Sequence, residues 1–234
     1  MEIGGFQTVS LIDYPGKISC IVFTIGCNFR CPFCYVPQLV IPEKAKKLKR
    51  ISEETVLAYL DRNRNLLDAV VITGGEPTLQ KDLEQFIRKV KSISDFSIAI
   101  ETNGSNPKIL EDLINRGLVN YVSMDIKNVL EFKKYKKTSN LKESDFENVK
   151  KSIEIIKRAK KEGKIDGEFR TTIVKGIHTL DDIKELCKMM KDENYYIQKF
   201  KKPGPLVGKE KDLKPYELDE IKEILSEFNV KFRE

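Results

Sequence analysis

No stretch of the 234-residue chain comes near the roughly 20 consecutive apolar residues of a membrane-crossing helix. The opening residues, Met1-Glu2-Ile3-Gly4-Gly5, have neither the basic head nor the apolar run of a secretion signal, so a cytoplasmic protein without membrane association is expected. Histidine occurs once, as His178, and cysteine five times. Five thiols behind no leader argue against a disulfide framework, because a reducing compartment keeps cysteines free for metal ligation or catalysis. Excess charge is small as well: 42 basic residues face 36 acidic ones, giving a net +6, and the two signs are interspersed. That distribution does not point to nucleic acid. The basic runs at 44–50, 133–137 and 157–164 read as solvated helix faces, with an acidic partner as the alternative. No short-period repeat and no low-complexity segment is found.

What remains is the composition of a globular protein, 40% hydrophobic and 33% charged. The length suits one domain, since about 150 residues per domain is a soft prior. Residues 1–234 are therefore read as a single core, with 201–234 as its C-terminal extension. Short apolar runs alternate with segments of helical period along the whole chain. Strands are expected over 18–24, 69–73, 96–101, 121–125, 168–174 and 195–200, and helices over 52–62, 80–92, 107–116, 142–162, 180–191 and 215–228. Ser52 can cap its helix, Pro107 stands where a first-turn proline is tolerated, and Gly117 and Gly163 fall where helices end in a left-handed residue. The alternation is α/β in class, and crossovers of one hand would curl six parallel strands into an incomplete (β/α)6 barrel. An open sheet has the same local signature. Residues 201–215, with three prolines and two glycines, read as a long loop.

The densest chemistry follows the first of these strands, in Cys27-Asn28-Phe29-Arg30-Cys31-Pro32-Phe33-Cys34. Three thiols in eight residues of loop can wrap around one face of a compact metal centre. Most iron-sulfur clusters take four cysteines, yet no fourth is near: Cys20 lies within the strand and Cys187 within a late helix, where both read as small buried hydrophobes. A cluster held by three thiolates leaves one iron open, as catalysis requires. A zinc site is the alternative, although zinc usually wants a fourth Cys or His and His178 is distant in sequence.

Three further polar motifs end successive strands. Thr73-Gly74-Gly75-Glu76-Pro77 combines a sharp backbone turn with a carboxylate expected at the top of the sheet. Glu101-Thr102-Asn103-Gly104 follows the third strand, and Ser123-Met124-Asp125-Ile126-Lys127 the fourth. Ligands of parallel α/β folds sit at the C-terminal strand ends, so four strands deliver their polar groups to one rim.

With this cysteine spacing, and with aromatic Phe33 just before the third cysteine, the chain resembles the radical S-adenosylmethionine (SAM) superfamily. The resemblance implies a 4Fe-4S cluster on Cys27, Cys31 and Cys34 and a SAM molecule whose methionine binds the open iron. It implies SAM contacts from the backbone of Phe33, Cys34 and Tyr35, from Gly74, Gly75 and Glu76, from Thr102 and Asn103, and from Asp125, Ile126 and Lys127. Glu76 would receive the SAM amino group, and Asp125 and Lys127 the ribose or carboxylate. Glu101, Thr102, Met124 and Asp125 fall where a monovalent cation sits in some members. The stretch from Gly5 to Lys17, with Tyr35, Pro37 and Gln38, is similar to activating proteins of anaerobic ribonucleoside-triphosphate reductase. In that group the hydrogen atom abstracted belongs to a glycine of a partner, a glycyl radical enzyme, and an electron donor such as flavodoxin or ferredoxin is implied. A small-molecule enzyme like 7-carboxy-7-deazaguanine synthase is the runner-up, although Tyr35 stands where that synthase typically has an acidic residue. A non-catalytic zinc or iron-sulfur module is the third reading. His178 reads as ordinary loop surface; the alternative is a role near SAM, since it lies beyond the fifth strand, in the region where some activators place a histidine.

Overall fold

The computed structural model describes residues 1–208, 212–228 and 230–233. Within them a single sheet of eight strands runs in chain order: β1 (Ile3–Ser10), β2 (Ser19–Thr24), β3 (Ala69–Gly74), β4 (Ser97–Thr102), β5 (Tyr121–Asp125), β6 (Asp166–Ile173), β7 (Tyr195–Lys199) and β8 (Lys231–Arg233). β1 is antiparallel to β2 and every later pair is parallel. β1 and β8 are the two ends of the order and do not pair with each other, so the sheet is open along one side. β2 to β7 are the six expected strands, each within two residues of its expected ends. β1 and β8 were not expected. β1 carries Gly4 and Gly5 and shows no clean in–out alternation, and β8 is three residues long.

Helices α1 (Pro37–Val40), α2 (Pro42–Ala45), α3 (Glu53–Arg62), α4 (Leu83–Ile93), α5 (Pro107–Asn115), α6 (Phe132–Ser139), α7 (Glu143–Lys161), α8 (Leu180–Met189) and α9 (Leu218–Phe228) connect and flank the strands. The Ser52 side chain caps α3 as expected, accepting from the Thr55 amide. α4 starts at Leu83 rather than 80, because Pro77–Leu79 forms a 3-10 turn of its own. α1, α2 and the lysine-rich α6 were not expected. Within the expected loop 201–215, residues 209–211 lie outside the described residues.

Parallel strands crossed by helices bury both faces of the sheet. Alternation in β2 sends Cys20 and Val22 to the helix side, where Val70, Ile72, Ile98, Ile100 and Val122 meet Phe86, Leu113, Val149 and Ile153 in the main core. It sends Ile21 and Phe23 to the concave side, where Ala69, Val71, Ala99 and Tyr121 form a small second cluster. Tyr14, from the turn between β1 and β2, packs against Tyr121 with ring centroids 5.2 Å apart. This apolar cluster fills the end of the concavity at the strand starts. The strand ends are left for polar side chains.

Candidate active site

Gly26, with φ +98°, turns the chain out of β2 and starts the cysteine loop. The loop's own backbone then folds it: the guanidinium of Arg30 donates to the carbonyls of Cys27 (2.5 Å) and Phe29 (2.8 Å), and the Cys34 amide donates to the Cys31 carbonyl at 3.1 Å. Neighbouring elements pin it from outside. The Arg30 amide donates to Ser139 at the end of α6 (2.8 Å), while Val207 and Gly208 donate to the carbonyls of Cys34 (2.9 Å) and Pro32 (3.0 Å).

All five cysteines are free thiols. Cys20 and Cys187 are fully buried in the core, away from the loop, as expected. Burial pushes the Cys27 thiol up to about 11 and the Cys31 thiol up to about 12, and raises Cys34 as well, while Lys127 pulls all three the other way. Cys31 is raised further by both Cys27 and Cys34, so the three thiols share one electrostatic environment. Left bare they stay protonated near neutral pH. An electropositive centre among them would convert them to thiolates, which is the chemistry a metal cluster demands of its ligands. The amide nitrogen of Asn103 points at the Cys27 sulfur from 3.8 Å, a donor suited to a thiolate. Among the described residues no three His, Cys, Asp or Glu side chains are disposed to hold a metal ion.

The diglycine turn sits directly against this loop. A Cβ on Gly75 would lie 1.9 Å from the Gly26 carbonyl oxygen, and one on Gly74, at φ +113°, 2.4 Å from the Thr24 amide. A side chain at Gly75 would part the end of β3 from the cysteine loop, and one at Gly74 would part it from the end of β2. The Glu76 amide then donates to the same Gly26 carbonyl at 2.7 Å. The Glu76 carboxylate was expected at the rim, but it is fully buried. It accepts from the Thr78 amide (3.1 Å) and hydroxyl (2.5 Å), the Thr102 hydroxyl (2.8 Å) and the Asn103 amide (2.7 Å). Burial nevertheless raises its pKa. Its four donors make it a tie between the ends of β3 and β4.

The side chains left at the rim are charged. Parallel register sets Asp125 of β5 opposite Arg170 of β6. Arg170 bridges Asp125 (3.0 Å) and Glu101 (2.6 Å), Lys127 holds the other oxygen of Asp125 at 2.9 Å, and Thr73 donates to Glu101 at 2.8 Å. Burial alone would raise the Asp125 carboxyl, but Lys127 and Arg170 outweigh it and hold it down at about 2. Lys127 is driven the opposite way: burial would lower it, and Asp125 raises it well above its ordinary value. Two carboxylates and two cations thus form a compensated charged row at the strand ends.

The remaining expected contacts are used differently. Thr102 and Asn103 spend their groups on Glu76 and on Asn28, whose side-chain oxygen Asn103 reaches at 3.1 Å. Ile126 is fully buried, and its amide and carbonyl both bond to β6, at Arg170 (2.7 Å) and Thr171 (2.8 Å). Phe33 is buried with its ring edge-on to His178, whereas Tyr35 keeps 57% of its surface exposed. The side chains named for a monovalent cation do not gather around one point. Glu101 and Asp125 share the Arg170 guanidinium, Thr102 turns to Glu76, and the Met124 methyl packs beneath Gly104. His178 is not loop surface. It is buried, its Nδ1 accepts from the Val174 amide at 3.0 Å, and Nε2 lies 2.8 Å from the Lys127 carbonyl. Arg170 went unnamed in the sequence reading. In-strand alternation puts it on the same face as Glu168, a local sign of a polar face, but its partners Asp125 and Glu101 are reached only through the strand register. Tyr135, whose hydroxyl accepts from the Lys127 amide at 3.0 Å, gave no such signal.

The model of the radical SAM superfamily matches residues 21–190. The chain belongs to the radical SAM superfamily. Radical SAM proteins use a 4Fe-4S cluster and SAM. Two proteins of Methanocaldococcus jannaschii, both provisionally named glycyl-radical enzyme activating enzymes, are similar to it along most of its length. One is 36% identical over 199 residues, 85% of this chain and 79% of the relative; the other is 30% identical over 189 residues, 80% and 68%. Among solved structures, Streptococcus suis SuiB bound to S-adenosylmethionine has a TM-score of 0.62 at 15% identity, covering 91% of this chain and 51% of SuiB. That likeness is one of fold, and this radical SAM chain spans about half of SuiB. No helix among the described residues is long and apolar enough to cross a membrane.

Proposed function

We propose that this radical SAM protein activates a glycyl radical enzyme, with anaerobic ribonucleotide reductase the first partner to try. The observation that carries the reading is convergence: the three-cysteine loop and the diglycine turn are joined through Gly26, Glu76 and Asn103, and Asp125 and Lys127 stand at the same strand ends, tied through Arg170 and Glu101 to Thr73 of the diglycine motif. Cys27, Cys31 and Cys34 would hold the cluster. When bound there, the cluster would supply the one electron that cleaves SAM reductively, giving methionine and a 5'-deoxyadenosyl radical able to take a hydrogen atom from a partner's glycine.

The chain's own residues bind and orient. Lys127 and Asp125, whose carboxylate side chain is about a third exposed, would face a ligand bearing both charges, as the methionine end of SAM does. Glu76 acts through the backbone it fixes, setting the spacing between the diglycine turn and the cysteine loop. The apolar cluster around Tyr14 closes the far end of the concavity, which keeps water from entering behind a radical. The two similar proteins of M. jannaschii favour a protein partner over a small molecule.

The test is anaerobic mixing of the reconstituted protein, SAM and reductant with candidate glycyl radical enzymes, read by EPR. The doublet of a glycine-centred radical is expected. Formation of 5'-deoxyadenosine with no doublet for any candidate would move the substrate to a small molecule.

A further inference from the structure

We propose that Ser123 and Gln198, on the concave face of the sheet, position the partner's glycine-bearing segment by bonding its main chain. The proposal rests on the preceding reading, which requires a protein substrate at the SAM-facing rim. Strand alternation splits the concave face in two. Over β2 to β4 it is apolar, with Ile21, Ala69, Val71 and Ala99. From β5 to β7 it turns polar, with Ser123, Glu168, Arg170, Thr172 and Gln198, and this half lies beside the open side of the sheet that β8 borders. Most of these groups are already spent. Glu168 accepts from Tyr121 at 2.9 Å and from both terminal nitrogens of Arg233 at 2.7 and 2.8 Å, and Arg170 holds Glu101 and Asp125. Ser123 differs. It is only 3% exposed, yet alone among the buried serines and threonines its hydroxyl has no hydrogen-bond partner among the described residues. It shares its strand face with Tyr121 of the concave cluster and Asp125 of the rim, so it points into the concavity. Its oxygen is not sealed off, because every fully enclosed side-chain oxygen and nitrogen among the described residues is bonded. Buried hydroxyls are normally paired, and an open one aimed into a concavity calls for an external partner. Gln198 is half spent: its Oε1 lies 3.4 Å from the Thr172 hydroxyl, and its Nε2 donates to nothing among the described residues.

The spacing of the two groups fits an extended chain. Register sets Ser123 beside Glu168 and Gln198 beside Thr172, four residues further along β6. Two strands across and four residues along is roughly 15 Å, the span of about five residues of extended peptide. A serine hydroxyl both donates and accepts, and a carboxamide does the same with its two ends. The pair therefore matches the N–H and C=O groups of a main chain and asks nothing of its side chains, which suits a glycine. The segment would enter over β7 from the open side, cross Gln198 and run down to Ser123, two residues below Asp125 on the same strand face. Neither residue exchanges a hydrogen atom; both hold the segment still beneath the rim.

The test uses the reconstituted, SAM-loaded protein and a short synthetic peptide centred on the radical glycine of an anaerobic ribonucleotide reductase, titrated calorimetrically without oxygen. S123A and Q198L should each weaken peptide binding about fivefold, the loss of one hydrogen bond, while the Kd for SAM stays that of the wild type. S123A should also unfold at no lower urea concentration than wild type, because it gives up no internal bond. Wild-type peptide affinity in both variants would overturn the proposal. So would an S123A protein that unfolds earlier or loses SAM affinity to the same extent, since the hydroxyl would then serve the fold or the cofactor. A wild type that binds no peptide overturns it too, and the glycine doublet on the intact reductase is read separately: its presence would leave the proposed function standing without these two contacts, and its absence would count against both.

Discussion

Arg170 spans two carboxylates from neighbouring strands, its Nη1 2.6 Å from Glu101 and its Nε 3.0 Å from Asp125. Removing it leaves both carboxylates facing each other with Lys127 as the remaining cation. R170M should lower stability by about 3 kcal/mol, the typical cost of stranding one side of a largely buried ion pair. SAM affinity should fall with it. R170K keeps the charge but not the planar fork that reaches both acids, so it should fall between the two. Urea unfolding and calorimetric SAM titration measure these effects.

Glu76 separates two accounts of the diglycine motif. As a buried tie with four donors, its change to Gln puts an amide NH2 against groups that themselves donate, so E76Q should cost about 2 kcal/mol of stability. A variant as stable as wild type but weak in SAM binding would mean that the carboxylate instead meets the ligand.

His178 predicts a pH effect with a definite sign. Burial lowers its pKa in the folded protein below the ordinary value near 6.5, so below that pH the unfolded chain binds more protons than the folded one. Stability is therefore intact above about pH 6.5 and falls as pH drops through the window beneath it. H178Q can accept from Val174 and donate to Lys127 without titrating. The difference in unfolding free energy between wild type and H178Q, followed from about pH 7 to pH 5, should shift against the wild type as acid is added. A flat difference would contradict the neutral, buried assignment.

Gly75 probes the seam between the motifs. A methyl group 1.9 Å from the Gly26 carbonyl forces the turn away from the cysteine loop. G75A should lose at least about 2 kcal/mol and reconstitute with less iron than wild type, measured by unfolding and by iron analysis.

How far these features were legible follows from their range along the chain. β2 to β7, the cysteine loop and the strand-end motifs are local signals: apolar runs, period, and donors close in sequence. β1 escaped because its glycines and mixed burial blur the period, and α6 because four lysines mask a single buried face of Tyr135, Thr138 and Ser139. The direction of Glu76 was also out of reach, since its donors Thr102 and Asn103 come 26 and 27 residues later. Arg170 lies 45 residues from Asp125 and 69 from Glu101, and only the strand register brings them together. His178 read as loop surface because nothing local shows that it buries itself beneath Lys127, 51 residues away.

The central claim, a cluster held by three cysteines with one iron open to SAM, is tested most directly by EPR of the reduced, anaerobically reconstituted protein with and without SAM. About four irons per chain and a signal that changes on adding SAM are predicted for wild type and for C187A, with both lost in C31A. One tightly bound zinc per chain, or equal loss in C187A and C31A, would contradict it.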